Sequence, residues 1–240
     1  MSIAENVETV RARVADACER SGREPESVQL MAVSKTQSVD AIGEAVDAGL
    51  TLFGENKIQE AKLKISQCPP SARWHFIGHI QSNKARDAVR HFEMLHGVDS
   101  LRLAEELNKR ATAEAREVKY LLEINVAGES SKYGYSPAAV LEDIERLAEL
   151  PRLELHGLMA VPPFASDPER SRPFFRRLVD LKDACEQKLG VPLGELSMGM
   201  SGDFEIAIEE GATIVRVGTA VFGPRRYRKP GAAGAAADST

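Results

Sequence analysis

The sequence predicts an α/β protein built as a single (β/α)8 barrel of the TIM type, with an extra N-terminal helix. Eight short apolar segments rich in β-branched residues recur along the 240 residues, and amphipathic runs separate them. Strands that alternate with helices favour parallel βαβ crossovers, and eight such units suit a chain of roughly 250 residues. An open doubly wound sheet is the rival architecture, because it produces the same alternation.

Each element follows from its hydrophobic pattern. We predict strands at residues 28–34, 51–54, 74–78, 94–98, 118–126, 153–161, 193–198 and 213–222. Amphipathic periodicity predicts helices such as 38–48, 83–91, 101–115, 137–150 and 170–189, and the extra helix at 3–21. These elements place residues 1–226 in one barrel domain. Residues 227–240 form an Ala/Gly-rich tail that has too few large apolar groups to pack, so we predict that it is disordered.

Composition excludes several classes of function. The formal net charge of −5 argues against a general nucleic-acid surface, which needs a basic excess. No apolar run approaches the roughly 20 residues that cross a bilayer, and the polar N-terminus does not resemble a signal peptide. The three cysteines lie far apart without a CxxC pair, which is typical of reduced thiols. We therefore expect a cytoplasmic protein with no membrane or nucleic-acid partner. We also expect a monomer.

The end of the first strand places a lysine where barrels carry function. Lys35 directly follows the buried segment that ends at Ser34, and functional residues of such barrels lie at the carboxyl ends of the strands. Burial disfavours the charged form of a lysine, which makes its amine more nucleophilic toward an aldehyde. The alternative is a lysine that extends to solvent at a strand end, and position alone favours that alternative.

The ends of the last two strands predict an anion site. The residues concerned are Ser201, Gly202, Arg216, Gly218 and Thr219. Barrels commonly bind phosphate with the loops after strands seven and eight, where hydroxyls and backbone N–H groups converge. Asp203, expected one turn into a helix that starts near Ser201, opposes an anion unless its side chain points away. The alternative is that the glycines form tight turns and that the arginine pairs with a structural carboxylate.

Polar residues after the second and third strands leave two interpretations open. Glu55 and Asn56 either orient a ligand, or Asn56 caps the following helix, which is its commoner role. His75 and His79 share one face of a strand, but no nearby cysteine or carboxylate completes a metal site. We therefore expect no metal.

The lysine and the anion site are neighbours only if the barrel closes. A ligand that carries both an aldehyde and a phosphate links them, and pyridoxal 5′-phosphate (PLP) has both groups.

Six segments resemble the pyridoxal phosphate homeostasis protein family. They are residues 32–35 (AVSK), 53–56 (FGEN), 74–78 (WHFIG) with 81–84 (QSNK), 157–160 (GLMA), 196–201 (LSMGMS) and 215–219 (VRVGT). The match runs in order over roughly residues 28–223. It implies a fold-type III PLP barrel, similar to the N-terminal barrel of alanine racemases and lacking their second, β-rich domain.

The resemblance also implies a role for seven residues. Lys35 is the lysine that forms a Schiff base with PLP. Ser201, Gly218 and Thr219 lie at the phosphate with Met200 beside them, Arg216 faces the pyridine nitrogen, and Asn56 lines the pocket. His79 receives no role. Lys84 and Lys132 are the lysines near strand ends that are most available for secondary reaction.

The function implied by the resemblance is intracellular PLP homeostasis without turnover. An arginine at the pyridine nitrogen keeps that nitrogen unprotonated, which makes the ring a poorer electron sink. Racemases compensate with a tyrosine from their second domain. We therefore expect a non-catalytic protein that buffers, stores or delivers PLP, with PLP-dependent apoenzymes as recipients. The rivals are a small racemase or decarboxylase, and a regulatory protein whose PLP occupancy acts as a signal.

Overall fold

The strands close into a barrel because the first strand pairs with the eighth. A computed structural model describes residues 1–129 and 133–224. In it the eight strands pair in chain order, and every pairing is parallel. The pairing of Met31 with Arg216 joins the two ends of the sheet. The predicted barrel is therefore confirmed, and the open doubly wound sheet is excluded.

The elements alternate along the chain. The strands are β1 Gln29–Val33, β2 Leu52–Glu55, β3 Arg73–Phe76, β4 Met94–Val98, β5 Val118–Glu123, β6 Leu153–Met159, β7 Glu195–Met200 and β8 Ile214–Val217. The helices are α1 Ile3–Arg20, α2 Val39–Asp47, α3 Ile58–Ile65, α4 Ala85–His91, α5 Leu101–Ala113, α6 Pro137–Ala148, α7 Arg172–Leu189, α8 Phe204–Glu209 and α9 Thr219–Phe222. None of the helices within the described ranges is long and apolar enough to span a bilayer.

Serine residues determine where four of the helices begin. Ser2, Ser38, Ser100 and Ser136 each precede a helix and accept the backbone N–H of the third residue after them. Such caps satisfy N–H groups that have no partner inside the helix. Glu5 completes a capping box with Ser2. The extra helix predicted at residues 3–21 is thereby confirmed as α1.

The eighth strand is shorter than predicted. We predicted a strand over 213–222, but β8 ends at Val217 and the chain turns into α9. The carbonyl oxygen of Gly218 accepts the N–H groups of Val221 and Phe222, which closes the first helical turn. Val221 in this helix is buried, so the hydrophobic run continues past the strand without extending it. The proposed tail, 227–240, lies outside the described residues and stays a prediction.

The barrel interior changes from apolar to polar toward its carboxyl end. Its apolar layer contains Met31, Leu52, Met94, Leu121, Met159 and Ile214, all buried. A second, larger core lies between the sheet and the helices. Buried polar side chains occupy the interior as well, among them His75, His96, Ser197 and Arg216. The fold therefore leaves a polar region near the strand ends where a ligand is expected to bind.

We predict that Gly157→Ala strongly destabilises the barrel. A Cβ at Gly157 in β6 would clash with the backbone oxygen of Glu195 in β7, so the two strands must separate. Overpacking costs about 1–3 kcal/mol and occasionally more, and a clash with backbone lies at the upper end of that range. Denaturant unfolding measures the loss. Gly194→Ala is the matched control, because a Cβ added at Gly194 would meet no atom within 4 Å. Equal stability of the two variants would contradict this packing.

Candidate functional site

A cavity at the carboxyl ends of the strands gathers most of the predicted site residues. Its volume is about 430 Å³, within the range of small-molecule sites. The lining residues predicted from sequence are Lys35, Met200, Ser201, Gly202, Arg216, Gly218 and Thr219. Ile77 and the loop segment of Pro163, Phe164 and Ala165 also contribute to the wall. Phe164 is 95% exposed at the rim of the cavity.

Lys35 lies half-buried in a turn that begins where β1 ends. The next residue, Thr36, has a positive φ of 67°, a conformation that side chains other than glycine rarely adopt. Its backbone N–H donates to Glu60 Oε1 at 2.6 Å, which holds the turn in this conformation. The strained turn therefore fixes the backbone position of Lys35 at the edge of the cavity.

A buried ionic cluster supports this turn from behind. The ammonium of Lys64, in α3, donates to the Ser34 carbonyl at 3.0 Å, to Glu55 at 2.5 Å and to Glu60 at 2.9 Å. The Ser34 hydroxyl donates to Glu55 at 2.7 Å. Burial raises the pKa of the Glu55 carboxyl, and the hydrogen bonds from Lys64 and Ser34 oppose that rise. Glu55 is thus part of the support of Lys35, and it does not line the cavity.

We predict that Lys64→Met destabilises the protein by about 3 kcal/mol at pH 7, because it leaves Glu55 buried without its cation. Chemical denaturation measures the change. Lys62→Met is the matched control on the same helix, since Lys62 pairs with Asp87 at the surface and such pairs contribute about 1 kcal/mol or less. A Lys64→Met variant as stable as the control would show that the cluster does not support the turn.

The loops after β7 and β8 bring hydroxyl and backbone N–H groups together in the cavity wall next to β1. Ser201 Oγ accepts the backbone N–H of Gly218 at 3.2 Å and that of Ala220 at 3.5 Å, so the loops after β7 and β8 meet at this hydroxyl. Thr219 begins α9 at the same place. A Cβ added to Gly202 would meet no atom within 4 Å. Hydroxyls and backbone N–H groups gathered in this way suit a phosphate.

The carboxylate of Asp203 is occupied by local hydrogen bonds. The helix after β7 begins at Phe204, so Asp203 precedes it, and the expectation that Asp203 lies one turn inside a helix starting near Ser201 is wrong. Its two oxygens accept the backbone N–H of Met200 at 2.7 Å and the hydroxyl of Ser171 at 2.9 Å. The carboxylate therefore braces the end of β7, although the residue borders the cavity.

Arg216 is buried in the wall of the cavity and is held by neutral groups. Nη1 donates to the carbonyl and the hydroxyl of Ser197, both at 2.7 Å, and Nη2 donates to the Ala160 carbonyl at 2.9 Å. Burial lowers the pKa of the guanidinium to about 10, which leaves it charged at neutral pH. Within residues 1–129 and 133–224 no carboxylate forms an ion pair with it, so the alternative of a paired structural arginine is wrong.

Two buried histidines extend this network into the barrel. His96 Nδ1 lies 2.9 Å from Ser197 Oγ, and His96 Nε2 lies 3.0 Å from His75 Nδ1. Burial lowers the pKa of His75 to about 4 and that of His96 well below its ordinary value.

His79 is not part of this network, and its Nδ1 lies 3.1 Å from a carboxylate oxygen of Asp99. The described residues contain no group of three potential ligands that could hold a metal ion.

Asn56 does not join the other predicted residues. It lines a neighbouring cavity of about 190 Å³ together with His79, Gln81 and Lys84. The expectation that it caps α3 is wrong, because Lys57 is the residue that precedes that helix. Asn56 Oδ1 is buried without a hydrogen-bond partner among the described residues, and a role toward a ligand stays a prediction. Lys132 lies outside the described residues.

Comparisons with known proteins agree with the fold. A family model described as the alanine racemase N-terminal domain matches residues 2–226. The pyridoxal phosphate homeostasis protein of Vibrio alginolyticus is 44% identical over 231 residues, which cover 94% of this chain and 99% of the relative. The structure of PipY from Synechococcus elongatus PCC7942 with PLP bound is 37% identical with a TM-score of 0.83, covering 92% of this chain and 100% of PipY.

More distant structures share the fold alone. An alanine racemase of Clostridium difficile 630 is 15% identical with a TM-score of 0.68, and the match covers 95% of this chain but 58% of the racemase. The closed barrel and the family model together define a barrel of the alanine racemase N-terminal class. From the full-length relatives it follows that the chain belongs to the pyridoxal phosphate homeostasis protein family.

Proposed function

We propose that this protein binds PLP covalently at Lys35 and maintains the intracellular supply of the cofactor without catalytic turnover. The observation that carries the proposal is a cavity lined both by a half-buried lysine and by the hydroxyl and backbone N–H groups that meet after β7 and β8. The name of the Vibrio relative and the PLP bound in PipY support it.

The residues that line the cavity fit the aldehyde, the phosphate and the ring nitrogen of PLP. The ε-amine of Lys35 would hold the aldehyde carbon of PLP as a C=N bond in place of C=O, with release of one water. Ser201, Thr219 and the backbone N–H groups around Gly218 would bind the phosphate. Arg216 would face the ring nitrogen, and Met200 lines the wall between these groups.

The cavity favours holding the cofactor over chemistry on an amino acid. PLP supplies electron withdrawal to a bound amino acid, and racemisation or decarboxylation also needs protein groups that move protons. The titratable residues among those described as lining the cavity are Lys35, Asp203 and Arg216. Asp203 is held by Met200 and Ser171, and Arg216 stays charged at neutral pH. The described lining residues therefore offer no evident second acid or base beside Lys35.

Storage and delivery are consistent with this arrangement. A Schiff base is reversible, so PLP held on Lys35 remains available to other proteins. We infer that PLP-dependent apoenzymes receive it, that the protein acts as a monomer, and that it works in the cytoplasm. Three separate free thiols, Cys18, Cys68 and Cys185, are compatible with a reducing compartment.

A turnover screen tests the proposed absence of catalysis. PLP-loaded protein is incubated with L- and D-alanine, ornithine, lysine, arginine and serine, and the products are measured by chiral chromatography. We expect no sustained racemisation or decarboxylation. Turnover of about 1 per second or faster, which lies in the usual range of enzymes, would replace this proposal with an enzymatic function. A parallel assay of PLP transfer to an apoenzyme should show restored activity of the recipient.

A further inference from the structure

A continuous chain of buried side chains leads from the barrel interior to the cavity. It runs from His75 through His96 and Ser197 to Arg216, with contacts of 3.0, 2.9 and 2.7 Å. His96 and Ser197 are fully buried, and the other two residues are nearly so. Of these four residues Arg216 alone lines the cavity, so the other three side chains act on a ligand through the guanidinium.

One arrangement of the protons gives the Ser197 hydroxyl both a donor and an acceptor among these four residues. Arg216 is always a donor, so Ser197 Oγ accepts from it and directs its own proton to the remaining neighbour, His96 Nδ1. His96 then carries its proton on Nε2 and donates to His75 Nδ1. His75 keeps its proton on Nε2, an atom that is buried without a partner among the described residues. In the opposite direction Ser197 Oγ would accept from both His96 and Arg216, and its own proton would have no acceptor among these residues.

Both imidazoles are neutral in this arrangement. Burial lowers the pKa of each histidine. The positive charge of Arg216 faces His96 and lowers its pKa further. Arg73 and Lys119 act on His75 in the same direction, while Glu93 opposes them with a smaller effect than burial. A neutral His96 with a bare Nδ1 polarises the Ser197 hydroxyl, which strengthens its acceptance of the Arg216 N–H.

Stability alone does not account for such a chain. The neighbouring layer of the barrel interior is filled by Met31, Met94, Leu121 and other apolar side chains. Replacing buried polar groups by apolar ones of similar volume is often neutral or stabilising. The chain also ends on His75 Nε2, a buried donor with no acceptor among the described residues, which costs free energy. The free-energy cost of these buried polar groups is therefore explained better by a role in orienting the Arg216 guanidinium.

We propose that His96 is a positioning residue that orients Arg216 through Ser197, so that the unused N–H donors of the guanidinium point at the ring nitrogen of PLP. Three contacts, two to Ser197 and one to Ala160, fix the plane of the guanidinium. A guanidinium has five N–H donors, so others remain for the cavity. The inference rests on the proposed PLP site. It adds that the oriented guanidinium favours ligands that have a ring nitrogen.

Two variants of similar shape separate this role from simple packing. His96→Asn retains an acceptor near the position of Nδ1 and so can still bind the Ser197 hydroxyl. His96→Leu replaces the imidazole by a branched side chain that has no acceptor. Each is titrated with PLP and with the PLP analogue in which C–H replaces the ring nitrogen, and binding is followed by absorbance. Melting curves confirm that both variants are folded.

We expect wild type and His96→Asn to prefer PLP over the analogue by about tenfold or more, as for one hydrogen bond to a charged group. His96→Leu should lose this preference, with its affinity for the analogue nearly unchanged. Equal losses for both ligands, or an intact preference in His96→Leu, would overturn the proposal. A wild type that binds PLP on Lys35 without any preference would overturn it too, while leaving the proposed function in place.

A measurement on the protein without PLP tests the hydrogen bonds from His75 to Arg216 independently of the proposed function. In ¹⁵N NMR spectra of histidine-labelled protein, His96 should show an unprotonated Nδ1 and a protonated Nε2 at neutral pH. His96→Asn identifies the resonances by their disappearance. A proton on Nδ1, or a charged imidazole, would contradict the arrangement that orients Arg216, whatever the protein does with PLP.

Discussion

The Lys35→Ala variant should lose all covalently held PLP and keep only weak, reversible binding. The substitution removes the only amine among the described residues that line the cavity, and leaves Ser201, Thr219 and Arg216 unchanged. Wild-type protein loaded with PLP should remain yellow through gel filtration, whereas the variant should emerge colourless. Equilibrium dialysis should still detect PLP binding by the variant, because the phosphate contacts persist.

Lys84→Ala is the matched control for this experiment. Lys84 lies at the same end of the barrel but lines the neighbouring cavity with Asn56. We expect this variant to retain PLP like the wild type. Loss of retained PLP in Lys84→Ala, with Lys35→Ala unaffected, would move the covalent site to the neighbouring cavity.

The second large effect is expected at the phosphate. Ser201→Ala combined with Thr219→Val deletes two hydroxyls from the wall where the loops after β7 and β8 meet. Hydrogen bonds to a charged acceptor contribute about 1.5–3 kcal/mol each, so the affinity for PLP should fall by about two orders of magnitude or more. Titration of the absorbance change on binding measures the affinity.

Pyridoxal, which has no phosphate, distinguishes this effect from general damage to the site. Its affinity should barely change in the double variant, because Lys35 and Arg216 are retained. A melting curve beside the titration checks the fold. If PLP and pyridoxal lose affinity equally, the two loops do not bind the phosphate, and the assignment of Ser201 and Thr219 fails.

Local sequence patterns were sufficient to predict the barrel and the group of residues that line its cavity after β1, β7 and β8. Lys35 follows an apolar strand, and Ser201 and Gly218 follow the last two, so their shared position required only that the sheet close. The length of β8 was not predictable from hydrophobicity, because α9 continues the apolar run and its Val221 is as buried as the strand. A hydrophobic run predicts burial more reliably than it predicts the type of secondary structure.

The supporting residues could not be found in this way. Lys64 lies on α3 and meets Glu55 only after the helix packs on the sheet, and nothing in its neighbours along the chain marks it as buried. His96 and Ser197 are separated by 101 positions and become neighbours across the barrel interior. A histidine in a buried strand was a signal that a polar partner had to exist, but the partner depends on the register of the sheet.

For Asn56 the position along the chain was predictable, but the cavity that its side chain lines was not. Its position after β2 placed it near the strand ends, as predicted, but the side chain borders the cavity that contains His79 and Lys84. The direction of a side chain in a loop depends on backbone angles that residue type does not determine. Its Oδ1, which has no partner among the described residues, keeps a ligand role open to test by Asn56→Leu in the same PLP titration.

Borohydride trapping tests the central claim most directly. The protein is incubated with PLP, reduced with sodium borohydride so that a C=N bond becomes a stable amine, digested, and mapped by mass spectrometry. We predict one dominant modified peptide, with the pyridoxyl group on Lys35, at a stoichiometry near one per chain. A modified peptide containing a different lysine, with Lys35 unmodified, would contradict the account.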